Sequence, residues 1–201
     1  MKPPGYTLVY TPRSHFARKV RLLADALGIP LALVDAGNVA DADPAAYGPN
    51  PLMKVPTLLD GERVVFESDH IAACLVRAHD PGDRFGVLAT DVATLNARAV
   101  MNGVMAQEVE LLLAERSGLS TDHPRFDKMR ASLLQGLAWL EDHAGVFPRQ
   151  PSYLGFHLLA LWDHLVIYGM VPLDYPRLRA HIEAWRDWAF AAASRPPPIR
   201  S

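Results

Sequence analysis

Asn50-Pro51-Leu52-Met53-Lys54-Val55-Pro56-Thr57-Leu58-Leu59-Asp60-Gly61, followed by Val64-Val65-Phe66-Glu67-Ser68, compresses a strand, a tight turn, a second strand and a helix start into one short stretch. Asp60-Gly61 is a two-residue hairpin signal, because both central positions of the favoured turn need positive φ. A proline entering the first strand restricts it to an edge, a strand start or a bulge, since proline has no N–H to give. If the Val55-Pro56 bond is cis, the bend lifts the backbone groups of Val55 off the sheet and offers them to a ligand. Glu67-Ser68 opens a run with Ile71, Cys74 and Leu75 at helical spacing, and the first N–H groups of such a helix lack helical partners.

Working outward, Tyr6 to Tyr10 reads as a first strand. After Thr11-Pro12-Arg13-Ser14, Phe16, Val20, Leu23, Ala24 and Leu27 recur at helical spacing until Gly28 stops the helix. Leu31 to Val34 is a short second strand, and residues 36–50 form a loop with at most one short helix. The second helix is expected to end near His79. The order β-α-β, then β-β-α, is that of a thioredoxin-like domain.

Asp80-Pro81-Gly82-Asp83 is a polar turn cluster and the best domain boundary, dividing the chain into 1–80 and an all-helical 88–201. In the second part Val92, Leu95, Ala99, Met105 or Ala106, Val109 and Leu112 mark one long stripe. Met129, Leu133, Leu137 and Leu140 mark another helix. Leu154 to Tyr168 is apolar on most sides and belongs at the centre of a bundle. Leu178, Ile182, Trp185 and Ala189 mark the last helix, before Pro196-Pro197-Pro198 ends regular structure.

The chain has 201 residues, half of them hydrophobic and 21% charged, enough for a sizeable core in one large domain or two small ones. A net charge of −2 and a pI near 6.4 give no electrostatic attraction to nucleic acid or an anionic membrane. One cysteine excludes an internal disulfide framework and CxxC motifs, and Cys74 is expected to be a small buried hydrophobe. Residues 1–20 carry Lys2, Arg13, Arg18 and Lys19 without an apolar segment, which argues against a signal peptide. The apolar run from Leu154 to Val171 is interrupted by His157, Asp163 and His164, so a buried helix explains it better than a membrane span. A soluble, cytoplasmic protein is the expectation. Among the eight histidines, His157 and His164 lie seven apart on one helix, too far to share an ion as an i, i+4 pair does, so no metal is expected.

Three stretches resemble the glutathione S-transferase superfamily in the same order and spacing. Arg13-Ser14-His15-Phe16-Ala17-Arg18-Lys19-Val20-Arg21 is similar to the S-P-[FY]-x-R-K-V-R segment of serine-type bacterial members. Asn50 to Pro56 is similar to N-P-x-G-K-V-P, and Glu67-Ser68 to the family's E-S pair. Tyr175-Pro176-Arg177-Leu178 and Ser194-Arg195-Pro196 resemble its final helix and terminal R-P. The departures are His15 in place of proline, Met53 in place of glycine, and Gly155 where an acidic residue would complete a capping box with Ser152.

The resemblance implies a thioredoxin-like glutathione-binding domain, a C-terminal helical bundle, a homodimer, and glutathione as co-substrate. Glutathione's thiol starts near roughly 8.5, and lowering it by about 2 units takes roughly 2.7 kcal/mol of preferential thiolate stabilisation. A hydroxyl at a helix N-terminus supplies this by a hydrogen bond and a positive dipole end. Ser14 is the candidate donor; it also suits simple capping, and the two roles are compatible. Tyr10 is the alternative donor, and Tyr6, at the start of its strand, a more distant one. His15 adjoins Ser14 and either tunes the thiolate when protonated or faces solvent. Ser68 and free N–H groups suit the γ-glutamyl carboxylate, Glu67 its ammonium, Val55 the cysteinyl backbone with Pro56 setting the geometry, and Lys54 a carboxylate. The same Glu67-Ser68 pair also reads as ordinary N-terminal capping. The electrophile is expected between the domains, near Met101, Met105 and Tyr168. The function so implied is addition of glutathione thiolate to a small apolar electrophile; a non-catalytic, transferase-like interaction module is the alternative, favoured by His15 and Met53.

Overall fold

The computed structural model describes residues 5–199. They form two compact units, one of the residues up to Leu88 together with those from Asp187 onward, the other Ala89–Arg186. The final segment, which periodicity assigns to the helical part, thus groups with the first unit.

In the first unit the chain runs β1 (Tyr6–Tyr10), α1 (His15–Leu27), β2 (Leu31–Asp35), one 3-10 turn (Pro44–Tyr47), β3 (Thr57–Asp60), β4 (Arg63–Phe66) and α2 (Ser68–His79). The sheet order is β2-β1-β3-β4, with β1 parallel to β2 and antiparallel pairs β1–β3 and β3–β4. This is the expected thioredoxin-like arrangement. Leu8 and Leu58 from the sheet, Val20 and Ala24 from α1, and Ile71 and Leu75 from α2 form one buried cluster. Gly28 ends α1 at φ 69, the left-handed state that closes its last turn with an N–H to Ala24 and Asp25 carbonyls.

The hairpin is shifted by one residue from its sequence reading. Asp60 pairs with Arg63, so Gly61 and Glu62 are the central residues, and only Gly61 has positive φ, at 59°. Glycine at the first central position marks the mirror-image turn that needs positive φ there alone. Cys74 is half-buried rather than fully buried, because Ile71, Ala72, Leu75 and Val76 occupy the inward face of α2.

A short helix, α7 (Ala189–Ala193), is held by Arg18 of α1, whose buried guanidinium donates to the Ala191 carbonyl and Ser194 hydroxyl at 3.4 Å each. The helices between α2 and α7 are α3 (Val92–Arg116), α4 (Pro124–Asp142), α5 (Tyr153–Tyr168) and α6 (Pro176–Trp185). These four, with a 3-10 turn at Ala144–Val146, belong to the second unit. The last stripe therefore breaks after Trp185, and Ala189 begins α7 instead of continuing α6.

Inside the helical unit α5 is buried from Tyr153 through Trp162, as its uniform apolarity requires. Of the stripe expected on α3 only Met105 is buried: Val92, Leu95 and Ala99 are exposed, Val109 and Leu112 are half-buried, and the inward face is made by Ala97, Met101, Val104, Met105, Glu108 and Leu111. Apolar residues occur on several faces of α3, and the inward face includes a carboxylate that a hydrophobic pattern passes over. Glu108 is fully buried and lies 2.8 Å from His164 of α5; burial pushes its carboxyl upward, and the imidazole opposes that shift. His157 and His164 are both core residues. Glu141 of α4 supplies the cap that α6 lacks, accepting from the N–H groups of Arg177 at 2.8 Å and Leu178 at 3.0 Å.

Candidate functional site

The sheet register builds the site. Val9 pairs with Thr57, and Thr57 with Phe66, so these three residues form a row across β1, β3 and β4. The chain leaves that row at one end of the sheet in three places: from β1 toward Ser14, back from β3 to Pro56 and Val55, and from β4 into Glu67 and Ser68. Segments far apart in sequence thus emerge side by side from one sheet end.

Ser14 is the N-cap of α1. Its Oγ accepts from the Ala17 N–H at 3.1 Å, and its own N–H reaches the Thr11 carbonyl at 3.0 Å. The capping bond uses a lone pair, so the hydroxyl proton remains free to donate. His15 is buried and meets the Phe16 ring edge-on at 4.7 Å, so it does not face solvent. Tyr10 packs against the core cluster with the Arg21 guanidinium 5.2 Å from its ring centre. Tyr6 belongs to the opposite end of the sheet, where its hydroxyl meets His79 Nε2 at 2.8 Å.

The Val55-Pro56 bond is cis. Buried Asn50 shapes the loop before it, donating from Nδ2 to the Lys54 carbonyl at 2.9 Å and Thr57 Oγ1 at 3.0 Å, and accepting at Oδ1 from Leu52 N–H. The Lys54 side chain is exposed. Met53 sits at φ 50, in the left-handed region that suits glycine, which explains why glycine is common there in the resembling pattern. Met53→Gly is expected to stabilise the chain by up to about 1 kcal/mol, the left-handed cost of a side-chain-bearing residue less glycine's extra entropy. A chemical-denaturation midpoint measures it, and a lower midpoint would show that the Met53 side chain contributes packing there.

Glu67 caps α2 from φ 71 and ψ 130, a backbone state rarely held by residues with a side chain. Its Oε2 accepts from the N–H groups of Asp69 at 3.0 Å and His70 at 3.3 Å, while the buried Ser68 hydroxyl donates to Oε1 at 2.8 Å. The capping arrangement foreseen as the alternative reading is therefore present, and those donors are engaged by Glu67 itself.

Sequence reasoning missed one residue beside this site. Lys19 of α1 is 0% exposed, with Nζ 2.8 Å from Asp69 Oδ1 on α2 and 5.7 Å from the Phe16 ring centre. The signal was available: Lys19 lies three residues after Phe16 and four before Leu23, on the apolar stripe. In the helical unit Met101 and Met105 are fully buried, Met105 with its sulfur 3.0 Å from His157 Nε2, and Tyr168 is half-buried under the Arg116 guanidinium. A groove of about 480 Å³ lies instead between α3 and α4, lined by Val100, Gly103, Val104, Lys128 and Ala131 among others. Among the described residues no helix is long and apolar enough to cross a membrane.

Residues 8–83 match the family profile described as the glutathione S-transferase N-terminal domain. No curated protein matches the chain significantly. Solved structures do. A glutathione S-transferase from Methylobacterium radiotolerans, in complex with glutathione sulfonate, superposes with a TM-score of 0.81 at 23% identity over 98% of this chain and 96% of its own. One from Methylobacillus flagellatus with bound glutathione gives 0.79 at 23% identity over 96% and 100%. A glutathione transferase family member from Pseudomonas fluorescens with S-(propanoic acid)-glutathione gives 0.78 at 23%, again over 96% and 100%. The chain therefore has the glutathione S-transferase fold, a thioredoxin-like domain with a four-stranded mixed sheet followed by a mainly helical region, and its residues 8–83 match that family's N-terminal domain.

Proposed function

We propose that this protein is a glutathione transferase that adds glutathione thiolate to a small apolar electrophile. The observation that carries the reading is the Val9–Thr57–Phe66 row, from which the Ser14, Val55-Pro56 and Glu67-Ser68 segments leave the sheet together. The glutathione and glutathione derivatives bound in structures of the same fold support it.

Ser14 donates its hydroxyl proton to the sulfur while keeping its bond from Ala17, and the α1 dipole favours the thiolate. Tyr10 is the alternative donor. Val55 pairs its backbone with the cysteinyl residue beside Pro56, and Lys54 takes a carboxylate. At α2 the ligand exchanges partners with Glu67. The Ser68 O–H turns from Glu67 Oε1 to the γ-glutamyl carboxylate, and the freed carboxylate oxygen accepts from the ligand ammonium, so every donor keeps an acceptor. The thiolate then attacks the electrophilic carbon, and the C–S bond forms as a leaving group departs with its electron pair, in substitution, or as a π bond opens and its far carbon takes up a proton, in conjugate addition. The reading includes a cytoplasmic homodimer without a metal, and light scattering after size exclusion tests the oligomeric part; a monomer would remove it.

Calorimetry with glutathione over pH tests the function itself. Binding with release of a proton near neutral pH is the expected result. No binding at millimolar glutathione would make the non-catalytic interaction module the better reading.

A further inference from the structure

We propose that Lys19 is a positioning residue that readies the N-terminus of α2 for the γ-glutamyl carboxylate, by neutralising Asp69 beside it. This rests on the glutathione-binding reading above and goes beyond it.

The buried ion pair is not accounted for by stability. Taking an ammonium out of water costs more than a surface-type pair returns, and an apolar side chain of similar length would fill the same slot between α1 and α2. Asp69 in the first turn of α2 is already stabilised by the helix dipole and does not require a buried cation. What the pair changes is the local charge. The start of α2 carries two carboxylates, the N-cap Glu67 and the first-turn Asp69, along with exposed His70, and the proposed ligand brings a third carboxylate to this helix end. With Lys19 at 2.8 Å, Asp69 adds no net charge there, and Glu67 is left to meet the ligand's ammonium. The same contact ties α1, which Ser14 caps, to the first turn of α2, so the sulfur end and the γ-glutamyl end of the site share one fixed strut.

Neutralisation makes an unusual prediction: the two halves of one ion pair act in opposite directions. The probes are glutathione and its analogue 4-aminobutyryl-cysteinyl-glycine, which keeps the amine and lacks the γ-glutamyl carboxylate, each measured by calorimetry. Lys19→Met is expected to weaken glutathione about tenfold, because an unneutralised charge then faces the ligand carboxylate. Asp69→Asn is expected to tighten it severalfold, and Lys19→Met with Asp69→Asn to return it close to wild type. The analogue, which keeps only the ammonium, is expected to show no weakening in Lys19→Met and no tightening in Asp69→Asn, because the same charge changes act on a cation with the opposite sign. Weakening by both single substitutions, or equal losses for glutathione and the analogue, would show a purely structural pair and overturn the inference. Should Lys19→Met fail to fold, Asp69→Asn decides alone, since a structural pair predicts weaker binding and neutralisation predicts tighter. If wild type binds neither probe, the transferase reading fails and this inference with it; if wild type binds glutathione, only the role of Lys19 is at stake.

Discussion

Ser14→Ala is expected to lower kcat/KM for glutathione conjugation by about 20- to 100-fold between pH 6 and 7, with the deficit closing above roughly pH 9. The size follows from the thiol. If the site moves the sulfur pKa from roughly 8.5 down by about 2 units, most bound glutathione is thiolate at pH 7 in wild type and only a few percent without the donor. The closing of the deficit follows from the same arithmetic, because at high pH the thiol ionises unaided. Ser14 also caps α1 through Ala17, so alanine costs about 1 kcal/mol of stability as well. Ser14→Gly separates the two effects, since glycine caps almost as well and has no hydroxyl. An alanine-sized rate loss in Ser14→Gly, with near-native stability, assigns the loss to the hydroxyl. A pH-independent loss would assign Ser14 to capping alone, and a near-wild-type rate would shift the donor role to Tyr10 or to backbone N–H groups.

Legibility varied with the kind of information each element needed. Strand β1, helix α1 and the α2 start carry local signals, namely alternation, a serine cap, a stopping glycine and a Glu-Ser opening, and each stands within a residue of its expected place. The convergence of Ser14, Val55 and Glu67 could not be read that way, because it depends on the register Val9–Thr57–Phe66, a nonlocal property of strand pairing. The face of α3 was misjudged for a related reason: a helix with apolar residues on several sides does not choose its buried side, its neighbours do. Here that side takes in Glu108, which only a partner such as His164 makes tolerable. Lys19 failed in the opposite direction. Charge implied exposure, yet its position on the stripe implied burial, and position prevailed because Asp69 was within reach.

Trp185→Ala is expected to cost about 3–5 kcal/mol, a large share of the roughly 5–15 kcal/mol available to a folded protein. Trp185 is fully buried in the helical unit, its indole N–H donates to the Arg149 carbonyl at 3.2 Å, and its ring meets Phe147 edge-on at 6.4 Å and His181 at 5.2 Å, centre to centre. It also accounts for Gly155, the residue that departs from a capping box. A Cβ on Gly155 would sit 3.4 Å from two atoms of the Trp185 ring and 3.3 Å from the Ser152 hydroxyl that caps α5. The helix start therefore trades the second half of a capping box for close approach of an indole. That trade can be measured by a cycle of thermal or denaturant unfolding. Gly155→Ala in wild type forces the ring and the cap apart by a few tenths of an ångström, offsetting alanine's helix preference of about 1 kcal/mol. In the Trp185→Ala background the two ring contacts are gone and only the Ser152 hydroxyl at 3.3 Å remains, so more of the helix preference is realised and the double variant should be the more stable of the two Trp185→Ala proteins. Strict additivity of the two substitutions would show that Gly155 is small for a reason other than the ring above it.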